Sequence, residues 1–248
     1  MSDFPQALAV DGAVAVFADA HLGQVERDAE DFLDALEGVR RRGFGTAVLL
    51  GDIFHYFIGD PKLETPLLMQ TLQGLKEVAA RGLSLRYVEG NRDFFVAGSR
   101  YAEPFASWTL ADGLRVGATR YAFVHGDRVN TADLPYRFWR GLSKNPLARA
   151  TLNVIPKAAG NRLVWKTEAR LYKSNFKHKT RLPVEMIRQF AERRFAQGVD
   201  TVLLGHFHKS WVENTGHGVV EILPAFVDEH RWMEIADDGS TSLVPLRA

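Results

Sequence analysis

Short aliphatic runs alternate with amphipathic stretches along most of this chain, and that alternation limits the possible folds more than any other feature. Runs of strand length and strand composition cover residues 13–18, 46–50, 83–88, 121–124 and 201–204. Apolar residues at helix spacing cover residues 26–42, 63–80 and 184–196. This order predicts an α/β core in which helices cover layered sheets. From residue 210 on, we expect only short strands and turns.

The chain has no cysteine, which excludes disulfide scaffolds, iron–sulfur clusters, thiolate zinc sites and cysteine nucleophiles. A metal ion would therefore be held by His, Asp, Glu, Asn or backbone oxygen. The N-terminal stretch carries Asp3 and Asp11 and lacks a basic region, and no run of about 18 uncharged apolar residues occurs. These features predict a cytoplasmic protein without a transmembrane helix.

Charge is distributed unevenly along the chain. Residues 128–182 contain 13 lysines and arginines against two acids, a formal charge of +11, whereas the rest of the chain carries −10. Such a separation predicts two surfaces with different partners: an acidic body that could hold cations, and a basic segment that could meet phosphates or an anionic membrane. The alternative is a solvated basic face without a specific partner.

Polar side chains follow each predicted strand at the point where it ends. They are Asp19 and His21 in D-x-H, Asp52 in GD, Asn91 in GN-x-D, His125 in HGD, and His206 and His208 in GH-x-H. Taken singly, Asp19, Asp52 and Asn91 are better explained as helix caps or loop residues, and His125 as a structural histidine. The two histidines of GH-x-H are a stronger signal, since they can converge on a metal ion. The carboxyl ends of strands converge in open α/β sheets, so the five motifs together predict a metal site. Gly51, Gly90 and Gly205 precede ligands, where close backbone approach favours a residue without Cβ.

These five motifs resemble those of the calcineurin-like metallophosphoesterase superfamily. Within it, GNRDF at residues 90–94 and the stretches GDIFHYFIGD and HGDRVNTADLPYRFWR are similar to the UDP-2,3-diacylglucosamine pyrophosphohydrolases of lipid A synthesis. The resemblance implies a β-sandwich flanked by helices, formed by residues 1–127 and 183–248, with a basic helical cap inserted at residues 128–182. Thr131, Asp133 and Tyr136 match the T-D-D-x-x-Y pattern of those enzymes, whereas Ala132 and the segment LPAFVDEHRW depart from what that family leads us to expect.

The resemblance also implies two metal ions that share one carboxylate. One ion would be held by Asp19, His21, Asp52 and His208, and the other by Asp52, Asn91, His125 and His206, with Asp52 as the bridge. Such a pair can orient a phosphoryl group and take up the charge of an in-line displacement. Imidazole, carboxylate and amide ligands without sulfur suit Mn²⁺, Fe²⁺ or Zn²⁺ better than Ca²⁺ or Mg²⁺. The habit of the family favours Mn²⁺.

Arg92 stands where many relatives have a histidine, and an arginine cannot give up its proton at working pH. A departing phosphate monoester, with a second pKa of about 6, needs no general acid and gains from a guanidinium fork. Arg92 therefore favours pyrophosphate cleavage over simple phosphodiester cleavage, and Asn91 and Arg92 are the predicted catalytic residues. The alternative for Arg92 is a surface salt bridge.

Three amphipathic helices are predicted in the cap, over residues 133–143, 146–158 and 161–176. Their aliphatic and aromatic faces beside Lys and Arg suit an acyl-chain groove with a basic rim, or an amphipathic surface on an anionic membrane. Packing of these faces onto the body is the alternative. The predicted substrate-binding residues are Arg92 and Tyr136, from the motifs, and Arg170, Ser174, Asn175 and Lys177, from their place in the basic stretch.

The resemblance thus implies a Mn²⁺-dependent enzyme in which a metal-bound hydroxide attacks the α-phosphorus of UDP-2,3-diacylglucosamine, giving UMP and 2,3-diacylglucosamine 1-phosphate. The protein would be cytoplasmic and docked peripherally on the inner membrane. An alternative is a metallophosphoesterase acting on nucleic acid or another phosphodiester, which the aliphatic content of the cap disfavours. Another is a scaffold that keeps the fold without metal chemistry, which the complete set of ligand positions disfavours.

Overall fold

The structure, a computed structural model, describes residues 5–25, 27–154 and 182–246. Its strands are β1 (Leu8–Val10), β2 (Val14–Phe17), β3 (Thr46–Leu49), β4 (Phe57–Ile58), β5 (Ser84–Val88), β6 (Asp93–Phe94), β7 (Ser107–Thr109), β8 (Asp112–Val116), β9 (Thr119–Val124), β10 (Thr201–Leu204), β11 (Trp211–Asn214), β12 (Val219–Ile222), β13 (Arg231–Ile235) and β14 (Thr241–Pro245). Its helices are α1 (Asp28–Arg41), α2 (Pro66–Ala80), α3 (Leu134–Ser143), α4 (Pro146–Val154), α5 (Val184–Phe195) and α6 (Phe226–Glu229). Short 3₁₀ turns cover Pro61–Leu63 and Arg100–Ala102.

Two six-stranded sheets form the body of the described chain. The strand order is β1-β8-β9-β10-β12-β11 in the first sheet and β14-β13-β2-β3-β5-β7 in the second. β9, β10 and β12 run parallel in the first sheet, as do β2, β3, β5 and β7 in the second. The carboxyl ends of the parallel strands in each sheet therefore lie together at one edge of that sheet.

Alternating side chains on the central strands divide the core into three layers. On β2, Val14 and Val16 pack between the two sheets, whereas Ala15 and Phe17 pack under α1 and α2. A third cluster lies between the first sheet and α5. Both faces of β2 and β10 are buried, which explains why their sequences are continuous apolar runs. The predicted layered α/β sandwich flanked by helices is confirmed.

The predicted strands and helices lie within a few residues of those observed, and helix α2 shows why. Thr65 caps it by accepting a hydrogen bond from the amide of Leu68 at 3.1 Å, and Pro66 occupies its first turn. The C-terminal part, expected to hold only strands and turns, also contains α6. A helix of four residues is too short to give a periodic apolar pattern, so the sequence does not reveal it.

Residues 128–154, the described part of the predicted cap, form the loop after β9 and helices α3 and α4. α3 begins at Leu134 after Asp133, whose carboxylate accepts a hydrogen bond from the amide of Tyr136 at 2.9 Å. The third predicted cap helix lies outside the described residues, and the extent of the cap, residues 128–182, stays a prediction. Within the described ranges, no helix is long and apolar enough to cross a membrane.

Candidate metal centre

The seven predicted ligand positions follow the ends of five central strands, and both sheets contribute. They are Asp19 and His21 after β2, Asp52 after β3, Asn91 after β5, His125 after β9, and His206 and His208 after β10. Backbone hydrogen bonds join the loops: the amide of Asp19 donates to the carbonyl of Gly51 at 3.2 Å, and the amide of His21 donates to that of Asp52 at 3.0 Å. The amide of Gly205 donates to the carbonyl of His125 at 3.0 Å, which links the two loops of the first sheet.

One group of possible ligands consists of Asp19, His21 and His208. Oδ1 of Asp19 lies 3.8 Å from Nε2 of His21 and 3.6 Å from Nε2 of His208. The two Nε2 atoms are 3.1 Å apart. Oδ1 of Asp19 is buried and accepts no hydrogen bond from the described residues. An anionic oxygen buried without a donor is costly, and a cation between these three atoms would satisfy it.

A second group consists of Asp19, Asp52 and His125. Nε2 of His125 lies 3.6 Å from Oδ2 of Asp52 and 3.2 Å from Oδ1 of Asn91. On the other side of the ring, Nδ1 donates to the carbonyl of Leu50 at 3.0 Å, which turns Nε2 toward these oxygens. The carboxylate that the two groups share is Asp19, so the bridging role of Asp52 stays a prediction.

His206 lies beside these groups rather than within them. Its backbone amide donates to Oδ2 of Asp19 at 2.7 Å, and its ring stands edge-on to that of His125 with centroids 5.2 Å apart. The structure therefore places His206 next to the second group, and its role as a ligand stays a prediction.

Both carboxylates of the site are held in their charged form. Burial alone would raise the pKa of Asp19, but the neighbouring imidazoles of His208, His125 and His21 keep it well below the usual range. Burial acts on Asp52 in the same way, and His125 outweighs it, again with a lowered pKa. Two buried anions side by side make this a place where positive charge is strongly favoured.

The imidazoles respond to burial and to those anions in different ways. Burial lowers the pKa of His21 to about 3 and that of His206 to about 4, so both rings are neutral and have a free lone pair to offer a metal ion. Burial also acts to lower the pKa of His125, but Asp52, and with it Asp19, raises that pKa to about 10. Without a metal ion the two carboxylates thus retain a proton on His125.

The backbone at the site is strained. Among the described residues, eight non-glycine residues have a positive φ, and five of them are predicted ligands: Asp19, His21, Asp52, His206 and His208. This left-handed conformation is unfavourable for L-residues and is retained where function requires it. The concentration of such residues at the ligand positions is an independent sign of a functional site.

Two glycines allow the ligand loops to approach each other. A Cβ on Gly90 would lie 2.2 Å from Oδ1 of Asp52, and a Cβ on Gly51, whose φ is +78°, would lie 2.5 Å from Nδ1 of His125. Any side chain at either position would therefore push a ligand out of place. The sequence-based interpretation of these glycines as points of close approach is confirmed.

Arg92 lies at the site, with a side chain only 20% exposed. Its amide donates to Oδ1 of Asp52 at 2.8 Å, and its Nε lies 3.6 Å from Oδ2 of the same carboxylate. Its guanidinium also donates to the carbonyl of His55 at 3.2 Å and lies over the ring of Tyr56. Arg92 is therefore not a surface salt bridge, and its cation stands beside the metal-binding groups.

Helix α3 docks onto the site through polar side chains at intervals of four residues. Tyr136 and Arg140 donate to Oδ2 of Asp127 at 2.6 and 2.8 Å. Lys144, at the C-cap, donates to Oε1 of Glu89 at 2.7 Å and to the carbonyl of Gly90 at 2.6 Å. The Tyr136 hydroxyl is thus engaged within the chain, and its contact with substrate stays a prediction. The other predicted contacts, Arg170, Ser174, Asn175 and Lys177, lie outside the described residues.

Sequence reasoning missed several residues that support the ligands. Asp93 accepts hydrogen bonds from the amide of Gly90 at 2.7 Å and from Tyr87 at 2.9 Å, and burial raises its pKa to about 7. Asp228 accepts a hydrogen bond from Nδ1 of His208 at 2.8 Å. The position of Asp93 within GN-x-D was a usable signal. Asp228 had none, because it lies in the short helix α6.

The donors brought together here fit divalent metal ions. They combine two ionised carboxylates, neutral imidazoles and an amide oxygen, a set that suits borderline cations such as Mn²⁺, Fe²⁺ or Zn²⁺. The buried Oδ1 of Asp19, which accepts no hydrogen bond from the described residues, indicates that a positive charge belongs at this site.

Comparisons with known proteins agree with this geometry. The sequence profile of the calcineurin-like phosphoesterase family matches residues 12–210. The chain is 28% identical over 244 residues to the UDP-2,3-diacylglucosamine hydrolase of Pseudomonas putida strain F1, covering 94% of this chain and 98% of that protein. It is 30% identical over 203 residues to the protein of that name from Chromohalobacter salexigens, covering 78% and 79%.

A solved structure supports the fold. A dimetal phosphatase from Danio rerio superposes with a TM-score of 0.50 at 16% identity, covering 90% of this chain and 92% of that one. At this identity the similarity concerns the fold alone. The match of the family profile extends over most of the chain and includes every predicted ligand. The chain therefore belongs to the calcineurin-like phosphoesterase family, and the prediction of a metal-dependent phosphoester hydrolase is confirmed.

Proposed function

We propose that this protein hydrolyses the pyrophosphate bond of UDP-2,3-diacylglucosamine, with Mn²⁺ as its metal, to give UMP and 2,3-diacylglucosamine 1-phosphate. The observation that carries the substrate proposal is the surface next to the metal centre. Helix α3, fixed to the site by its polar face, presents Leu134, Phe138 and Leu142 outward, at 65, 75 and 50% exposure. An exposed apolar row beside a phosphate-handling site suits a substrate with acyl chains and a diphosphate.

The names of the curated relatives support the same substrate, since the chain aligns with them over most of its length. When bound, the metal ions would activate water and take up negative charge on the phosphoryl group. Asp19, His21, Asp52, Asn91, His125, His206 and His208 would hold them.

Arg92 gives the site its preference for a diphosphate. In this reaction water adds to the α-phosphorus, and the bond from that phosphorus to the bridging oxygen breaks. The leaving group is a sugar 1-phosphate, which needs no proton from the protein because its second pKa is about 6. The guanidinium of Arg92, beside Asp52, would bind the oxygens of this departing phosphate. Asn91, next in the chain, would act as a ligand and in catalysis.

The cap would serve lipid binding in two ways. The outward side chains of α3 can contact acyl chains, and the basic residues near them can contact phosphates or an anionic membrane surface. Leu147 and Val154 on α4 are also exposed, at 77 and 81%. We therefore include peripheral docking on the cytoplasmic side of the inner membrane in this proposal.

The proposal is tested with purified full-length protein, UDP-2,3-diacylglucosamine in detergent micelles, and Mn²⁺. We expect UMP release that depends on added Mn²⁺, and much slower release from UDP-N-acetylglucosamine, which lacks the two long acyl chains. Parallel assays use bis-p-nitrophenyl phosphate and single-stranded DNA. Hydrolysis of DNA without UMP release, with binding that weakens steeply as salt rises, would overturn the lipid proposal in favour of a nucleic-acid enzyme.

The position of attack is tested in water labelled with heavy oxygen. Attack on the α-phosphorus places the label in UMP, and mass spectrometry detects it there. Label in the sugar phosphate instead would contradict the proposed cleavage and the role of Arg92 with it.

A further inference from the structure

We propose that Asp228 is a positioning residue for the metal ligand His208. Its Oδ2 accepts a hydrogen bond from Nδ1 of His208 at 2.8 Å. The inference rests on the metal centre of the proposed function and is independent of the proposed substrate. Asp228 lies outside the five ligand motifs and outside residues 12–210, the range that the family profile matches.

The hydrogen bond decides which nitrogen of His208 faces the metal centre. A carboxylate can only accept, so Nδ1 carries a proton, and the lone pair that the ring offers to a metal ion is the one on Nε2. That Nε2 lies 3.6 Å from Oδ1 of Asp19 and 3.1 Å from Nε2 of His21. An acceptor on the far nitrogen fixes the tautomer and the ring orientation of a metal-binding histidine and increases its basicity. For His125 the carbonyl of Leu50 serves this purpose at 3.0 Å.

Helix α6 fixes Asp228 next to the group formed by Asp19, His21 and His208. The amide of Phe226 donates to the carbonyl of Ala18 at 2.9 Å, and the amide of Val227 donates to that of Asp19 at 3.3 Å. The ring of Phe226 is buried against Phe17. The helix is thus attached to the end of β2, the same stretch of chain that supplies Asp19. The position of Asp228 is therefore fixed relative to Asp19, which forms a metal-binding group with His208.

The surroundings of Asp228 allow a clean test. Its side chain is 58% exposed, so its replacement leaves no cavity in the core. The next residue, Glu229, is a matched control: it is an acid on the same helix, 41% exposed, and its Oε2 lies 3.7 Å from Nη1 of Arg231. Removing Glu229 changes the charge near the site by the same amount without touching His208.

The experiment measures metal binding by the full-length protein without substrate. Metal-free wild type, Asp228→Ala, Asp228→Asn and Glu229→Ala are titrated with Mn²⁺ against a chelating dye, and the visible spectrum of bound Co²⁺ is recorded for each. We expect Asp228→Ala to weaken one site about 10- to 100-fold and to change the Co²⁺ spectrum. Asp228→Asn keeps a neutral oxygen acceptor and should lie between this variant and wild type. Glu229→Ala should bind within about twofold of wild type.

The outcomes separate this inference from the proposed function. Unchanged affinity in Asp228→Ala, or an equal loss in Glu229→Ala, would overturn the positioning role. A wild type that binds no metal ion would overturn both the metal centre and this inference. Weakened metal binding by Asp228→Ala in a protein that releases no UMP would support the positioning role while contradicting the proposed substrate. Thermal unfolding of the metal-free variants is the check on folding, and we expect no difference between Asp228→Ala and Glu229→Ala.

Discussion

The ligand loops and helix α3 both bury polar side chains, but they satisfy them in opposite ways. In the ligand loops, Asp19 and Asp52 point toward imidazoles and each other, and Oδ1 of Asp19 has no donor among the described residues. On the inner face of α3, Arg140 and Lys144 each meet a carboxylate, at 2.8 and 2.7 Å. The first arrangement requires a cation from outside the described residues. In the second, these residues supply the cations themselves, although Nη2 of Arg140 lies 3.8 Å from Oε1 of Glu89 and has no hydrogen bond among the described residues.

The outer surfaces of the two regions differ as well. The ligand loops follow buried apolar strands, so their polar residues lie above an apolar core, which is the usual arrangement in globular proteins. Helix α3 is inverted: its polar row faces the body, and its apolar row, Leu134, Phe138 and Leu142, faces outward. An amphipathic helix on a globular protein normally does the reverse. The comparison teaches that the loops are incomplete without metal ions, whereas α3 is held to the body by its polar face and leaves its apolar row exposed among the described residues.

Loss of a central carboxylate should have the largest effect on activity, because the ligand loops depend on that charge to hold metal ions. In Asp52→Asn the shape is kept and the charge is lost. We expect hydrolysis to fall by more than about a hundredfold, the upper range for residues that only support ligands. Initial rates and Mn²⁺ stoichiometry by elemental analysis measure this. Asp200→Asn, at the opposite end of β10, is the control: this carboxylate accepts from the amide of Arg120 at 2.8 Å. Equal activity in both variants would contradict a role for Asp52 in the metal centre.

The ligand loops were predictable because each motif directly follows a recognisable strand, which shows where in the fold its ligand lies. The strand, the glycine and the ligand follow one another within a few residues, as in VEGN before Arg92. Strand β10 was predicted at its observed bounds, since four buried aliphatic or β-branched residues in a row suit a central parallel strand. Convergence of the strand ends then follows from the α/β architecture alone.

Features formed by distant segments were not predictable. Strands β4 and β6 have two residues each and pair across a long intervening stretch, so neither has a periodic pattern. The link between His208 and Asp228 depends on how α6 docks on β2. For α3 the sequence reveals an amphipathic helix, but which face turns inward depends on Asp127 and Glu89, whose positions are set by the tertiary fold.

Breaking the inner face of α3 should have an intermediate effect, on stability. Lys144→Met leaves the Glu89 carboxylate and the Gly90 carbonyl, both largely buried, without their shared donor. Leaving such groups unsatisfied costs about 1–3 kcal/mol. Urea unfolding of metal-free protein measures this cost. Arg137→Met is the matched control, because the side chain of Arg137 is exposed and its guanidinium donates to the carbonyl of Thr131 at 3.1 Å. Equal stability of the two variants would contradict the view that the inner face of α3 is a buried ionic contact.

Change on the outer face of α3 should have the smallest effect, and none on stability. Phe138 is 75% exposed, so Phe138→Ser should alter the free energy of unfolding by no more than about 0.5 kcal/mol. Contact between this ring and an acyl chain would contribute about 1.5 kcal/mol or more, equivalent to a rise of roughly tenfold in KM for the diacyl substrate when the ring is lost. Val212→Ser, at an apolar position 58% exposed on β11, is the control. A KM that rises in Phe138→Ser alone, with metal affinity unchanged, would assign the outward row to substrate. An equal KM in both variants would mean that the inverted face of α3 serves another surface.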